Sequence, residues 1–141
     1  MEDIQNVFLP RMAKYTHAKN GWGLWKVSTI DTNEFIGWIL VRPMEFFTDA
    51  PKFDDIELGW RFLKKSWGKG YASEAAVAIK SALVLNKNTQ SSINSFSAIA
   101  IKENYGSIAV MKKMGMVFIK QYLHKDTLGD MEVVLYRLEV S

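Results

Sequence analysis

The sequence predicts an α/β domain built on a mixed sheet, and three observations carry that expectation. Apolar and polar residues alternate in two pairs of segments, 23–30 with 35–41 and 117–125 with 131–140, the pattern of half-buried hairpin strands. In mid-chain the period changes: a strand-like run over 56–63 gives way to a helical pattern with Ala72, Ala75, Ala76, Ile79 and Leu83 on one face. Another strand, 93–101, is followed by a short helical segment that stops at Gly115. The order helix, strand, strand, strand, helix, strand, helix, strand, strand is that of an α/β domain.

Residues 1–20 are the least regular. Phe8 and Leu9 precede Pro10, which suits the first position of a helix running to about His17, and Asn20-Gly21 stops it. Asp31-Thr32-Asn33-Glu34 turns the first hairpin; Trp25 and Val27 should share a face, as should Ile36, Trp38 and Leu40. Arg42-Pro43 is expected to end the second strand, leaving 45–54 as a loop that carries Pro51 and overhangs a site. Residues 86–92 are polar and turn-rich, and Leu128-Gly129-Asp130 marks the last hairpin turn.

At 141 residues, 48% apolar and 23% charged, the chain has the length and composition of one domain, residues 1–141, with a sizeable core. Eighteen basic against 15 acidic residues give +3, too slight for a nucleic-acid surface but modestly favourable to an anionic ligand. The absence of cysteine removes disulfides, thiolate metal ligands and a cysteine nucleophile together. His17 and His124 lack metal-ligand spacing, so no metal is expected. No apolar stretch approaches the roughly twenty residues that cross a bilayer, and Met1-Glu2-Asp3 does not open a signal peptide; no membrane partner and a cytoplasmic location are expected.

The chemistry is concentrated where the 56–63 strand enters its helix, through Lys64, Lys65, Ser66, Trp67, Gly68, Lys69, Gly70 and Tyr71. The first turn of a helix has N–H groups without intrahelical partners and carries the positive end of the dipole, so it attracts anions. Gly68 and Gly70 put no Cβ in front of a phosphate, and three lysines add charge. Two glycines before a helix more often mark only a tight turn. A nucleotide-cradling loop would need Ser or Thr after Lys69, where Gly70 stands; a dinucleotide fingerprint would need a third glycine at Ser73.

Lys65-Ser66-Trp67-Gly68-Lys69-Gly70 resembles the acyl-coenzyme A loop of the GNAT superfamily of N-acetyltransferases, Gln/Arg-x-x-Gly-x-Gly/Ala, with Lys65 as a basic variant at its first position. The longer string Trp67-Gly68-Lys69-Gly70-Tyr71-Ala72-Ser73-Glu74-Ala75 is most similar to the RimJ/RimL-like branch. A second block, 98–118, resembles the family's Asn-x-x-Ser/Ala segment through Asn104 and Ser107, with Met116 replacing a usual Phe. Two blocks in the right order at a plausible separation are far less probable by chance than either alone.

The resemblance implies a mostly antiparallel central sheet with flanking helices and a parallel strand pair that splays to admit the pantetheine of acetyl-CoA, the co-substrate. It assigns pantetheine contacts to backbone groups of Trp60, Arg61 and Phe62, one N–H of which polarises the thioester oxygen. The pyrophosphate falls to the loop Lys65, Ser66, Trp67, Gly68, Lys69, Gly70, Tyr71, and a further pantetheine hydrogen bond to Asn104. Many family members place a proton-donating Tyr seven residues after the Asn; here that position is Met111. The RimL-like branch implicates a Ser three residues after the Asn, which Ser107 matches, although a serine there also reads as an ordinary first-turn helix residue. Glu57, in a string similar to the family's Glu-Ile-Gly-Tyr, is the candidate base, and otherwise reads as a solvated strand residue beside Asp54 and Asp55. Glu74 suits the helix N-terminus, and Trp22, Trp25, Trp38, Trp60 and Trp67 read as core rather than substrate contacts.

The expected function is transfer of acetyl from acetyl-CoA to a primary amine, a protein N-terminus or a small amine, by direct attack in a ternary complex. Family members usually carry a further strand and helical segment before the strand placed at Gly23, for which there is little room, and this bears on acceptor recognition more than on coenzyme binding. The missing Tyr and short start motivate an alternative, a catalytically impaired acyl-CoA-binding module. An uncovered edge or apolar patch invites self-association, and a homodimer is expected. A nucleic-acid partner is not, because coenzyme phosphates account for Lys64, Lys65 and Lys69.

Overall fold

Alternation along the strands divides the sheet into two unlike faces, and the site follows from that division. The computed structural model describes residues 16–17, 20–85, 93–125 and 129–140. Among them six strands form one sheet in the order β1-β2-β3-β4-β6-β5: β1 Gly23–Ser28, β2 Phe35–Met44, β3 Lys52–Phe62, β4 Ser95–Ile101, β5 Val117–His124 and β6 Met131–Glu139. Helix α1, Tyr71–Leu85, follows β3 through a 3-10 turn at Lys64–Ser66, and α2, Tyr105–Lys113, follows β4. Strands β3 and β4 run parallel, while every other neighbouring pair is antiparallel. The mixed, mostly antiparallel α/β architecture is thus the one the sequence predicts. The expected helix over 10–17, the 86–92 turn and Leu128 lie wholly or mainly outside the described residues.

One face of the sheet is apolar. Ile39, Val41, Ile56, Leu58, Phe96, Ala98, Val134 and Tyr136 pack there against Ala76, Ile79 and Leu83 of α1 and Met111 of α2. Each large side chain so buried contributes about 1.5–3 kcal/mol. The other face gathers polar residues in register: Arg42 opposite Glu57, Asp55 opposite Ser95, and Ser97 between Glu57 and Arg137.

Two strand boundaries differ from expectation. Strand β2 runs through Arg42 and Pro43 to Met44 instead of ending there. The Leu63 N–H donates to Ile36 O at 2.8 Å, so alternate residues 38, 40 and 42 turn their backbone groups to β3, and Pro43 turns its missing donor to the β1 side. Among the described residues no strand pairs with it there, because β1 ends its pairing at Val41. Strand β3 begins at Lys52, not at 56: Lys52 pairs with Met44, Asp54 O accepts from Asn94 N–H at 2.8 Å, and Phe53 stacks on Trp22 with centroids 6.0 Å apart. The intervening turn tightens accordingly, with Glu45 at φ +56°.

Candidate active site

Strands β3 and β4 are joined by three rungs only, Asp55 with Ser95, Ile56 with Phe96 and Glu57 with Ser97. Beyond Glu57 each strand keeps its other neighbour, so a wedge opens between them. Alternation decides which groups face it. The Leu63–Ile36 bond assigns the backbone of odd-numbered β3 residues to β2, leaving Trp60 and Phe62 to face the wedge. Lys102 N–H donates to Glu132 O at 3.3 Å and Val140 N–H to Asn94 O at 2.8 Å, which assigns even-numbered β4 residues to β6 and turns Ile99 and Ile101 inward. A chain bearing amides, laid in the wedge, would continue both ladders. Arg61 is a correction to the expected trio: its backbone pairs with Trp38 on β2, so only its side chain is available to a ligand.

The wide end of the wedge meets the glycine loop. Gly68 and Gly70 sit at φ +77° and +79°, a region that disfavours side-chain-bearing residues by about 1–2 kcal/mol. The first intrahelical bond of α1 runs from Glu74 N–H to Gly70 O at 3.0 Å, so the N–H groups of Gly70, Tyr71, Ala72 and Ser73 precede it and form the anion-attracting turn. A Cβ on Gly68 would meet nothing within 4 Å, and one on Gly70 would lie 3.8 Å from Lys113 Nζ. Among the described residues the Cβ side of Gly68 is thus open, and a lysine from the end of α2 overlooks that of Gly70.

The other loop residues divide by role. Ser66 is buried and donates its N–H to Leu63 O at 2.8 Å, which shapes the 3-10 turn. Trp67 is exposed, not core, with its indole N–H on Phe62 O at 2.9 Å. Lys65 ion-pairs with Glu34 of the first hairpin turn, so it brings the loop its backbone and not its ammonium. Lys69 is exposed and Tyr71 half-buried at the helix start. Asn104 caps α2, its Oδ1 accepting from Ser107 N–H at 3.1 Å, which leaves the carboxamide nitrogen as the donor for a ligand. Ser107 is half-buried in the first turn of α2. Met111 is fully buried in the core.

Comparison with known proteins decides the family. The model described as an acetyltransferase (GNAT) domain matches residues 2–117. The chain belongs to the GNAT acetyltransferase family. An uncharacterised Bacillus subtilis protein, YkkB, is 30% identical over 100 residues, 71% of this chain and 54% of its own, so this chain spans about half that relative's length. The crystal structure of a GNAT-family acetyltransferase from Bacillus anthracis superposes with a TM-score of 0.67 at 25% identity, covering 81% of this chain and 64% of that one. A putative ribosomal-protein-serine acetyltransferase from Vibrio cholerae shares the fold, with a TM-score of 0.71 at 14% identity over 99% of this chain and 72% of that one.

On the polar face of this GNAT domain, Glu57 is 8% exposed and accepts from Arg42 Nε at 3.0 Å. It is a buried, ion-paired carboxylate, not a solvated strand residue, because register sets Arg42 directly across from it. Two residues earlier, Asp55 Oδ1 accepts from Ser95 Oγ at 2.9 Å and Ser97 Oγ at 2.8 Å. Arg137 closes the network, with Nη2 3.3 Å from Asp55 Oδ2 and Nε donating to Ser97 Oγ at 2.9 Å. Tyr122 of β5 is half-buried on the same face, and its phenol is held above the ordinary 10.0 by burial first, then by the negative charges of Glu57 and Glu45. A cavity of about 200 Å³ opens there, lined by Met44, Glu45, Lys52, Asp55, Ile119, Lys120, Tyr122, Leu135 and Arg137. Sequence reasoning misses Arg42, Lys113, Tyr122 and Arg137, none of which carries a local motif. Among the described residues no group of three or more His, Cys, Asp or Glu could hold a metal ion, and no helix is long and apolar enough to cross a membrane.

Proposed function

We propose that the chain is an acetyl-CoA-dependent N-acetyltransferase in which a primary amine attacks the thioester directly in a ternary complex. The observation that carries this reading is the meeting of the wedge and the glycine loop at one end of β3, with Glu57 on the last rung before the wedge. The pantetheine amides bond to backbone groups of Trp60, Phe62 and Ile99, and Asn104 adds a donor. The pyrophosphate lies on the amides from Gly68 to Ser73, within reach of Lys69 and Lys113. A wedge N–H polarises the thioester oxygen as the amine nitrogen bonds to the carbonyl carbon. Glu57 accepts the proton that the amine loses, directly or through a water, and Arg42 holds its carboxylate in place. The C–S bond then breaks, and the Ser107 hydroxyl relays a proton to the departing thiolate, giving up its own as it takes one from water. Fold likeness to a ribosomal-protein acetyltransferase supports the RimJ/RimL-like branch, within which the acceptor is a protein N-terminus or a small amine. The exposed apolar side chains of edge strand β5, Val117, Phe118, Ile119 and Leu123, offer a surface for a homodimer.

A second reading, a coenzyme-binding module without turnover, is favoured by one observation: Met111 is buried where many relatives carry the proton-donating Tyr. Calorimetric titration with acetyl-CoA, repeated on Gly68→Glu and Gly70→Glu, tests the site, and amine-dependent release of coenzyme thiol separates the readings. Binding lost in both variants with turnover in the parent supports the enzyme; binding without turnover supports the module. A folded parent that binds no acetyl-CoA overturns both.

A further inference from the structure

We infer that the acceptor is a small zwitterion, an amino acid with a free carboxylate, held in the cavity beside Glu57; this rests on the acetyltransferase reading above. Three cations line that cavity, Lys52, Lys120 and Arg137, against two carboxylates, Glu45 and Asp55. Asp55 and Arg137 answer each other, with Arg137 Nη2 3.3 Å from Asp55 Oδ2 while Ser95 and Ser97 donate to Oδ1. Glu45 and Lys52 form a loose pair at 3.8 Å, each about half exposed. Lys120 has no carboxylate partner among the described residues; its Nζ stands 5.0 Å from the Tyr122 ring centroid. Lys120 therefore leaves one positive charge over, and an anion placed beside it gains a charge-assisted hydrogen bond.

Negative charge lies close to the same tyrosine. The phenol of Tyr122 stands in the field of Glu57 and Glu45, and an amine beside those carboxylates is favoured. Asp55 and Glu57 lie two residues apart on one face of β3, about 7 Å, so the cavity opens beside the rung where the wedge begins. An amine next to Glu57 and a carboxylate next to Lys120 are thus both answered around Tyr122, within a space of about 200 Å³. That is below the roughly 300–1,000 Å³ of sites for drug-sized ligands. A polyamine would set its second cation against Lys120, and a simple alkylamine, with no carboxylate, would leave that lysine unanswered.

The test is coenzyme-thiol release with the twenty standard L-amino acids, their amides, n-butylamine and spermidine as acceptors. The expected result is that the best amino acid exceeds its own amide at least about tenfold in kcat/KM, the scale of one hydrogen bond to a charged group. Lys120→Glu should erase or reverse that ratio while calorimetric affinity for acetyl-CoA stays the same. Amides or spermidine serving as well as amino acids, or a ratio unmoved by Lys120→Glu, would overturn the inference and leave the enzyme reading standing. If acetyl-CoA binds but no amine turns over, amino acids are titrated into the protein saturated with coenzyme A. Binding that is lost in Lys120→Glu upholds the zwitterion site, and no binding overturns it. Failure to bind coenzyme is a separate result, which removes the acetyltransferase reading itself.

Discussion

Glu57 and Ser97 stand opposite each other on the last rung that joins β3 to β4. Their side chains emerge on the polar face, where Glu57 meets Arg42 and Ser97 meets both Asp55 and Arg137. The point at which the sheet parts is thereby also the point at which buried charge is concentrated.

Glu57→Gln should lower amine-dependent kcat by about 10²–10⁴-fold, the usual range for a general base, with acetyl-CoA affinity unchanged. Glu57→Ala should in addition cost about 1–3 kcal/mol of stability, because it takes away the carboxylate that accepts from Arg42 Nε. Steady-state rates and urea denaturation of the two variants separate these effects. A Gln variant that keeps more than a tenth of the parent rate would assign the base elsewhere.

Lys113→Ala should weaken acetyl-CoA binding about two- to fivefold, the worth of one exposed charge contact, and the loss should shrink as salt is raised. Calorimetry at two ionic strengths reads it. Lys65→Ala should change the affinity less, since that ammonium pairs with Glu34.

Asp55→Asn should destabilise the fold by about 3 kcal/mol, since it leaves the partly buried Arg137 guanidinium without its counter-charge. Pairing it with Arg137→Met should restore part of that loss, and a double-mutant cycle in urea measures the coupling. Additive losses would show that the two side chains act independently.

Tyr122 gives a pH dependence at the alkaline end. Its phenol ionises at higher pH in the folded than in the unfolded chain, so above pH 10.0 the folded state retains the proton that the unfolded state releases. Stability is unaffected by this group below that pH and falls as pH rises through the interval up to the folded value. Tyr122→Phe should flatten the fall, as read from urea midpoints between pH 9 and 11; an unchanged slope would mean that the phenol does not titrate differently on folding.

What the sequence makes legible is local. The face Ala76, Ile79 and Leu83 of α1, the short helix that stops before Gly115 and the glycine turn are all written in residues a few positions apart, and all take the expected form. Arg42 and Glu57 are 15 positions apart along the chain, Asp55 and Ser97 are 42 apart and Asp55 and Arg137 farther still, and only register brings them together. Pro43 misleads because a proline ends a strand only where its absent donor is needed, and that depends on where β1 stops. The backbone direction of Arg61 is likewise a matter of parity, fixed by one bond from Leu63 to Ile36. Glu57 becomes buried for the same reason, its neighbours on β2 and β4 being invisible in the string around it.

Three rungs are a narrow hinge for a sheet of this width. On one side stand β1, β2 and β3, and on the other β4, β6 and β5, two leaves of three strands each. A thioester whose arm fills the gap would staple the leaves along their full length, so the acyl donor is also a structural member. The melting temperature should climb with its concentration, and the amides of Trp60, Phe62 and Ile99 should slow in hydrogen exchange more than any in the outer strands. The leaves should then be loosest when the donor has left, and opening of the sheet would accompany each exchange of spent coenzyme for fresh.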